Sequence, residues 1–424
     1  MRTLVAELPS LAGSEVMISG WVHRVRELGQ VSFVLLRDRS GVAQVVLEGK
    51  PGVTLESVVS ATGKVVANDR APGGFELQAA SLEVLAPAAA DLPIPVNQDP
   101  DKLSLDAILD NRMISLRNPK VLSIFRVQAT ILAAFAEHMR SEGFTEIKTS
   151  KLIGTGTEGG TGLFPVDYFG ERMYLTQSPQ LYKQAMVASG LERVFEIGPA
   201  YRAEKHDTPR HLNEFVSLDV EMAFIESEQE LMDLETRILD AVFGRLRAER
   251  PRELEAWKAV VPEPGAAARI PRVSHDEARE IVGRETGHKV YEITPEGERT
   301  LCDWAAKQAG IEAVFVHTYP RKSRPFYTMP AEANRTRAFD LLLRGLEITS
   351  GGMRINRYDE LVESARLFGL EPAGLADYLA VFKYGCPPHG GFAIGLERLT
   401  QKLLGLASVK EASLFPRDRK RTRP

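Results

Sequence analysis

The most constraining feature of this sequence is a pair of alternating segments on either side of a charged stretch. The first segment and the stretch read FEIGPAYRAEKHDTPRHLNEF, and the chain continues as EFVSLDVEMAF. Because side chains alternate between the two faces of a strand, one face of the second segment carries Phe215, Ser217, Asp219 and Glu221 while the other is apolar. The pattern predicts an antiparallel hairpin with one face in a core and the other lining a polar site suited to a zwitterion and a polyphosphate. A solvated hairpin tip fits the stretch equally well when it is taken alone.

The first 86 residues contain five short strand-like runs with glycine at the joints. They read EVMISGWVHRV, QVSFVLLRDRSG, VAQVVLEG, SVVSATGKVVAN and GFELQAASLEVLA. Such runs are typical of a small β-barrel, so we expect an OB-fold domain over residues 1–86. The next segment, PAAADLPIPVNQDPD, holds four prolines in fifteen residues, which favours a stiff linker over residues 87–110. A second domain is expected over residues 111–424.

The second domain mixes helix and strand patterns without a regular βαβ alternation. Apolar residues recur at helical spacing between Val121 and His138, and Ser227 precedes a second helical pattern that it is suited to cap. The fold class we expect for the whole chain is therefore α+β.

The composition gives no sign of a secreted or membrane protein. Hydrophobic residues make up 44% and charged residues 26% of the 424 residues. Neither a run of 18 uncharged apolar residues nor a signal peptide is present, so we expect a cytoplasmic protein with no membrane contact. Cys302 and Cys386 show no spacing typical of a disulfide framework or a zinc site. The net charge of −4 argues only weakly against a nucleic-acid partner, because a large protein can carry a local basic groove.

Two further segments carry candidate site residues. In FDLLLRGLEITSGGMRIN, carboxylates spaced along strands are suited to Mg²⁺, which prefers a few carboxylates plus substrate phosphates. In PPHGGFAIGLERLTQKLL, a glycine-rich strand enters a helix, with Glu397 and Arg398 at the junction. An arginine there can pair with phosphate or lie over an aromatic base.

Together the three segments resemble motifs 2 and 3, and the strand between them, of class II aminoacyl-tRNA synthetases, particularly the archaeal-type aspartyl branch. TEGGTGLFPVDYF, LTQSPQLYKQ, RHLNEF, GLER and LFPRDRKR add to the resemblance, which covers nearly the whole chain. It implies an N-terminal OB-fold β-barrel for anticodon binding and a class II catalytic domain, an antiparallel β-sheet flanked by helices. It also implies a homodimer, although Thr149 and Ser150 stand where motif 1 usually has a Thr-Pro pair.

The resemblance implies activation of L-aspartate by ATP, with Mg²⁺, and transfer to tRNA. Arg202 and Arg398 are expected to be catalytic, and the metal ligands are expected to be Asp340, Glu347 and Ser350. The expected ATP-binding residues are Arg202, Glu204, Arg210, His211, Leu212, Phe215, Glu347, Gly395 and Arg398. The expected aspartate-binding residues are Glu158, Gln180, Lys183, Arg202, Asp219, Ser350 and Arg354.

Recognition of the amino acid is expected to depend on two cations. Lys183 and Arg354 would hold the side-chain carboxylate of aspartate, and Arg354 could do so in bidentate fashion. Glu158 and Asp219 would take the substrate ammonium group. An asparaginyl enzyme should lack the lysine, because an ammonium buried against a neutral amide has no compensating charge.

The tRNA residues are expected in the barrel. Phe33 and Gln44 match family positions that stack on and hydrogen-bond anticodon bases, with Arg26 nearby, although Phe33 could instead be a core aromatic of the barrel. His23 and Pro93 match the pattern of enzymes that charge both tRNA(Asp) and tRNA(Asn). Such a non-discriminating enzyme would supply a tRNA-dependent amidotransferase.

Other functions remain open at this point. They are a discriminating aspartyl-tRNA synthetase, an asparaginyl-tRNA synthetase, a paralogue that makes asparagine directly, and a non-catalytic RNA-binding protein. The barrel argues against the paralogue, and the presence of Arg202, Glu347 and Arg398 argues against the non-catalytic protein.

Overall fold

The computed structural model describes residues 2–154 and 162–423. The chain divides into two compact units, Met1–Asn118 and Pro119–Pro424.

The first unit is built around a closed barrel. Its strands are β1 (Arg2–Thr3), β2 (Glu15–Leu28), β3 (Val31–Arg37), β4 (Val42–Glu48), β5 (Val58–Ala67) and β6 (Phe75–Ala86). The strand order is β1-β2-β3-β4-β6-β5, and pairing of β2 with β5 closes the barrel. Alternate residues such as Ile18, Val34, Leu36 and Val45 fill its interior. The five predicted strand runs correspond to β2 through β6, so the expected OB-type barrel is confirmed.

The proline-rich segment after the barrel is partly packed. Ile94 and Val96 are buried, and the Asn118 side-chain amide donates to the carbonyl oxygens of Val96 and Gln98, both at 2.8 Å. Two short helices follow it, α1 (Leu105–Asp110) and α2 (Arg112–Ser115).

The second unit holds an eight-stranded sheet with the order β13-β14-β17-β18-β19-β12-β11-β7. The strands of this unit are β7 (Thr145–Glu146), β8 (Leu152–Ile153), β9 (Pro165–Tyr168), β10 (Glu171–Leu175), β11 (Arg193–Tyr201), β12 (Glu214–Ala223), β13 (Arg272–Ser274), β14 (Ala313–His317), β15 (Pro330–Ala331), β16 (Arg335–Thr336), β17 (Ala338–Leu343), β18 (Leu346–Met353) and β19 (His389–Gly395). Smaller sheets are formed by β8-β10-β9 and by β15-β16.

The antiparallel sheet that we expected is confirmed for the six strands from β14 to β11, but the sheet as a whole is mixed. The outer pairs β13–β14 and β7–β11 are parallel. Parallel neighbours need a long crossover connection, and helices lie between the two strands in each case. The pattern of short strands and helices did not reveal these crossovers.

The described part of the second unit contains nine α-helices, besides short 3₁₀ and π segments. They are α3 (Pro119–Ser141), α4 (Gln180–Met186), α5 (Glu228–Glu249), α6 (Pro251–Ala256), α7 (His275–Thr286), α8 (Pro295–Ala309), α9 (Tyr358–Leu367), α10 (Ala376–Lys383) and α11 (Leu396–Leu404).

Helices α3 and α5 pack on the sheet and form the main core. Ser227 caps α5 as predicted, because its hydroxyl accepts from the Gln229 amide and Glu230 completes a capping box. In the described part of the chain, α3 alone is long and apolar enough to span a membrane by length and composition. Half of its most apolar 18-residue stretch is buried inside the protein. Its apolar face, with Val127, Ile131 and Phe135 fully buried, lies in the core, as in the core helix of a globular protein.

Candidate active site

The predicted hairpin exists and forms one wall of a cavity. Strands β11 and β12 pair along their length from Arg193↔Met222 to Tyr201↔Glu214. Leu218 and Val220 of β12 enter the core, whereas Ser217 and Asp219 line a cavity of about 190 Å³. The hairpin therefore has the two faces that its sequence predicts.

The cavity brings the three predicted segments together. Its lining includes these expected site residues: Gln180, Lys183, Arg202, Glu204, Arg210, His211, Leu212, Phe215, Asp219, Glu347, Ser350, Arg354, Gly395 and Arg398. Asp340 lies behind this lining and is 4% exposed. Glu158 lies outside the described residues.

The two cations expected to recognise the substrate meet at one buried carboxylate, Glu221. Arg354 donates from Nε to Glu221 Oε1 at 2.9 Å, and Lys183 Nζ lies 3.3 Å from Glu221 Oε2. Burial alone would raise the pKa of Glu221, but Arg354 and then Lys183 outweigh it, so the pKa is lowered. Sequence analysis placed Glu221 on the polar face but gave it no role, and nothing in its spacing marks it as the shared partner.

Lys183 has a second carboxylate partner in Asp219. Its Nζ donates to Asp219 Oδ1 at 3.0 Å and lies 3.2 Å from the carbonyl oxygens of Val220 and Phe392. The sequence argument that a lysine here needs a carboxylate on the substrate is therefore wrong, because the protein already supplies two carboxylates.

The glycine-rich strand makes this arrangement possible. A Cβ at Gly391 on β19 would overlap the Val220 carbonyl oxygen and the Glu221 carboxylate. Arg354 also donates to the Gly391 carbonyl at 2.9 Å and to Gln180 Oε1 at 3.3 Å. Glycine at this position therefore lets two strands and a carboxylate pack closely.

At the other end of the cavity, an aromatic ring and two arginines form a polar wall. The Arg202 guanidinium lies 5.3 Å from the centre of the Phe215 ring. Arg398, at the start of α11, donates to the Glu347 carbonyl at 3.0 Å and lies 3.5 Å from the Glu347 carboxylate. Glu397 accepts from the Val216 amide at 3.1 Å, which ties the start of α11 to the hairpin. Burial raises the pKa of Glu397 to about 7.

The charged loop of the hairpin is held from outside the cavity. Arg210 pairs with Glu298 of α8, and the His211 ring lies 2.6 Å from the Thr208 hydroxyl. Burial raises the pKa of Glu298 although Arg210 opposes it. Sequence analysis did not identify Glu298, which lies far from the motifs in the chain.

The carboxyl-terminal segment also supports this loop. Lys410 forms ion pairs with Asp207 of the loop at 2.6 Å and with Asp418 at 2.7 Å. The backbone N–H of Asn213 donates to the Arg417 carbonyl oxygen at 2.8 Å. The conformation of the loop therefore depends on residues that follow α11.

The expected metal ligands lie on neighbouring strands, where Asp340 and Ser350 are direct partners across β17 and β18. Glu347 is partly buried, and this burial and then the Asp340 charge raise its pKa. Among the described residues, no group of three or more His, Cys, Asp or Glu side chains could hold a metal ion. Mg²⁺ bound with phosphates needs only one or two carboxylates, so Glu347 and Ser350 on the cavity wall fit such an ion.

The barrel residues expected to read tRNA share the outer face of β2, β3 and β4. Arg26 and Phe33 are cross-strand partners, and Gln44 faces Leu35 on the next strand. Phe33 is only half-buried, and the interior positions of β3 belong to Val34 and Leu36. The alternative of Phe33 as a core aromatic is therefore wrong.

His23 lies at an irregularity of β2, and Pro93 is exposed. The His23 ring Nδ1 is 2.8 Å from Arg37 Nη1, and the His23 carbonyl accepts from the Asn97 side-chain amide at 3.1 Å. Burial and then the Arg37 charge lower the pKa of His23. The segment around Pro93 thus contacts the strand at His23 through Asn97.

Comparisons with known proteins agree with this geometry. Residues 104–419 match the family of tRNA synthetases class II (D, K and N), and residues 16–85 match the OB-fold nucleic acid binding domain. The aspartate–tRNA(Asp/Asn) ligase of Deinococcus radiodurans is 48% identical, over 100% of this chain and 99% of that protein. The aspartate–tRNA(Asp) ligase of Pyrococcus abyssi is 44% identical, over 98% of this chain and 97% of that protein.

A solved structure is also similar. The crystal structure of asparaginyl-tRNA synthetase from Pyrococcus horikoshii with asparaginyl-adenylate has a TM-score of 0.93 at 31% identity, over 100% of both chains. With a family match over most of its length, the chain belongs to the class II tRNA synthetases of the D, K and N group.

Proposed function

We propose that this protein is an aspartate–tRNA ligase that activates L-aspartate with ATP and transfers the aspartyl group to tRNA(Asp) and tRNA(Asn). The observation that carries the proposal is the buried meeting of Lys183 and Arg354 at Glu221, beside Asp219. The names of the two relatives support aspartate as the amino acid. Asparagine is the second candidate, because a solved asparaginyl enzyme shares the fold.

The side chain of aspartate fits the amino-acid end of the cavity better than that of asparagine. Lys183 and Arg354 are the cations proposed to face the substrate side chain, with Asp219 and Glu221 as their protein partners. Aspartate carries a side-chain carboxylate at neutral pH, to which both cations can donate charge-assisted hydrogen bonds, whereas the asparagine amide is neutral.

In the first step, the α-carboxylate of aspartate attacks the α-phosphorus of ATP, and pyrophosphate leaves. We propose that Arg202 holds the attacked phosphate and the carboxylate together, and that Phe215 and Arg398 bind adenine between them. Glu204, Leu212 and Gly395 would line the nucleotide, with Arg210 and His211 at the terminal phosphates. Positioning and charge neutralisation account for most of the rate of such reactions, and the ionised carboxylate needs no general base.

Magnesium belongs to this proposal as the ion that neutralises phosphate charge when bound. Glu347 and Ser350 would hold it, with Asp340 behind them, and Gln180 and Asp219 would orient the substrate ammonium group. Glu158 would assist them.

Amino-acid-dependent exchange of pyrophosphate into ATP tests the first step. We expect exchange with L-aspartate and, at the same concentration, little with L-asparagine. Exchange driven equally well by asparagine would reject aspartate as the substrate.

For the second step, we propose that the barrel reads the anticodon. Phe33 would stack on a base, and Gln44 and Arg26 would contact base edges and the RNA backbone. His23 and Pro93 would allow the barrel to bind the anticodons of both tRNA(Asp) and tRNA(Asn). The half-buried outer position of Phe33 supports this role, since bases stack on accessible aromatic rings. Charging assays with the two tRNAs test it, and failure to aspartylate tRNA(Asn) would restrict the enzyme to tRNA(Asp).

The functional organisation follows from the same proposal. Residues 1–86 would bind the anticodon, residues 87–110 would link the domains, and residues 111–424 would carry catalysis. We propose a cytoplasmic homodimer that passes aspartyl-tRNA(Asn) to an amidotransferase. Light scattering during size-exclusion chromatography tests the dimer, and a monomer mass would reject it.

A further inference from the structure

Arg324 is a buried cation at the proposed metal site that none of the sequence motifs indicated. It precedes Pro325 in the loop between β14 and β15, and its side chain is 11% exposed. Its guanidinium lies 3.7 Å from the centre of the Tyr319 ring. Stacking on an aromatic ring fixes the plane of a guanidinium, so the group has a defined direction.

The guanidinium binds two of the three expected metal ligands at once. Nη1 donates to Asp340 Oδ1 at 2.8 Å and to the Ser350 hydroxyl at 3.0 Å, and Nη2 donates to Asp340 Oδ2 at 2.5 Å. Both carboxylate oxygens of Asp340 therefore accept from a protein cation. Tyr319 also hydrogen-bonds to Asp340, and burial followed by the Asp340 charge raises the pKa of Tyr319.

Of the three expected metal ligands, all of them in the described part of the chain, this arrangement leaves only the Glu347 carboxylate without a contact to Arg324. Glu347 lies on the cavity wall with Arg398 at 3.5 Å, so cations flank the site on two sides. The positive charges of these arginines repel a divalent ion beside them. One carboxylate without phosphate oxygens also binds Mg²⁺ only weakly. The triphosphate of ATP would supply both the missing ligands and the missing negative charge.

We propose that Arg324 is a positioning residue that withholds Asp340 and Ser350 from divalent ions, so that metal enters the site only together with the nucleotide. The inference rests on the proposed function only in taking the cavity as a nucleotide site. The hydrogen bonds from Arg324 also keep the Asp340 carboxylate and the Ser350 hydroxyl in fixed positions, which an ordered metal–nucleotide site requires.

Binding of Mn²⁺ to the full chain without nucleotide tests the inference, with free Mn²⁺ followed by electron paramagnetic resonance. Arg324→Met removes the cation and frees the Asp340 carboxylate and the Ser350 hydroxyl to join Glu347 around the ion, so we expect its Mn²⁺ affinity to exceed that of the unaltered protein by about tenfold or more. Arg324→Lys keeps the charge but not the fork of donors, so its gain should be smaller. Adding Asp340→Asn to Arg324→Met should abolish the gain.

Arg335→Met is the matched control. Arg335 pairs with Asp276 at a distance of 2.6 Å and does not line the cavity. The Mn²⁺ affinity of this variant should therefore equal that of the unaltered protein. The inference is overturned if Arg324→Met binds Mn²⁺ no more tightly than the unaltered protein. If circular dichroism shows that this variant does not fold, the same comparison with Arg324→Lys decides. Because the readout needs neither amino acid nor tRNA, absence of aspartate-dependent exchange would reject the proposed function and leave this result standing.

Discussion

The Arg354 guanidinium donates to the Glu221 carboxylate at 2.9 Å in a place where both side chains are almost completely buried. The same carboxylate lies 3.3 Å from the Lys183 ammonium. Glu221 thus bridges two neighbouring cations, and together with Asp219 it offsets their mutual repulsion before any substrate is bound.

Replacing Glu221 should therefore destabilise the fold. Glu221→Gln leaves two buried cations with one fewer carboxylate, and breaking a buried pair on one side costs about 3–5 kcal/mol. Urea unfolding at neutral pH measures the change. Asp276→Asn, which alters an exposed pair with Arg335, should cost at most about 1 kcal/mol. Equal stability of Glu221→Gln and the unaltered protein would contradict the role given to this carboxylate.

Lys183→Ala should weaken binding of aspartate far more than that of ATP. Truncating one partner of a buried charge pair costs about 2–5 kcal/mol, so the KM for aspartate should rise by roughly 30-fold or more. The KM for ATP should change by less than about threefold, because Lys183 contacts acids at the amino-acid end of the cavity. Steady-state exchange kinetics give both values. Lys307→Ala, at an exposed pair with Glu285, is the control, and equal rises in the two KM values would refute the assignment.

Glu235 should make stability fall as pH rises. Burial raises its pKa from 4.5 to about 8, although the Thr349 hydroxyl donates to it at 2.6 Å. Between those pH values the folded state keeps a proton that the unfolded chain has released, so stability decreases from about pH 4.5 to about pH 8. The total cost is roughly 3–5 kcal/mol, from 1.36 kcal/mol per pKa unit.

Glu235→Gln removes this titration while keeping an acceptor for Thr349. Thermal unfolding from pH 5 to pH 9 should show a smaller loss of stability for this variant than for the unaltered protein, with the largest difference above pH 8. Glu249→Gln, at an exposed pair on the same helix, should follow the unaltered profile. Parallel profiles for Glu235→Gln and the unaltered protein would show that Glu235 does not titrate in this range.

Phe33→Ala should impair tRNA charging without affecting activation of the amino acid. Loss of one stacked base costs about 1–3 kcal/mol, so kcat/KM for tRNA should fall by roughly 5-fold to 150-fold. Pyrophosphate exchange should be unchanged. Val84→Ala, at a 44% exposed position on β6 of the same barrel, where it pairs with β5 rather than with β2 to β4, is the control. Unchanged charging by Phe33→Ala would show that Phe33 does not contact tRNA.

The parts of the fold that follow from local periodicity could be predicted from the sequence. Alternation gave the five barrel strands and the β11–β12 hairpin, and Ser227 marked the start of α5. The parallel outer strands could not be predicted, because pairing across a long crossover leaves no local pattern. The residues that line the cavity were expected from the resemblance to class II synthetases, which three charged or glycine-rich segments of the sequence carried.

The partners of those residues could not be predicted in the same way. Glu221, Glu298 and Arg324 each contact a predicted site residue, but they come from different elements of the chain. Their importance depends on which side chains converge in three dimensions and on how much water the fold removes from them. A sequence pattern contains neither quantity. For the same reason, the sequence argument treated Lys183 as uncompensated when the protein supplies its counter-charges.

The ion pairs of Lys410 tie the carboxyl-terminal segment to the charged loop, immediately beside Val409, which itself lines the cavity. Asp418 and Asp207 share that lysine, and the Arg417 carbonyl fixes the strand that leaves the charged loop. A stop codon at position 418 would remove none of the residues proposed to touch ATP. It would remove Asp418, a carboxylate partner of Lys410, and we expect this loss to loosen the loop that carries Arg210 and His211.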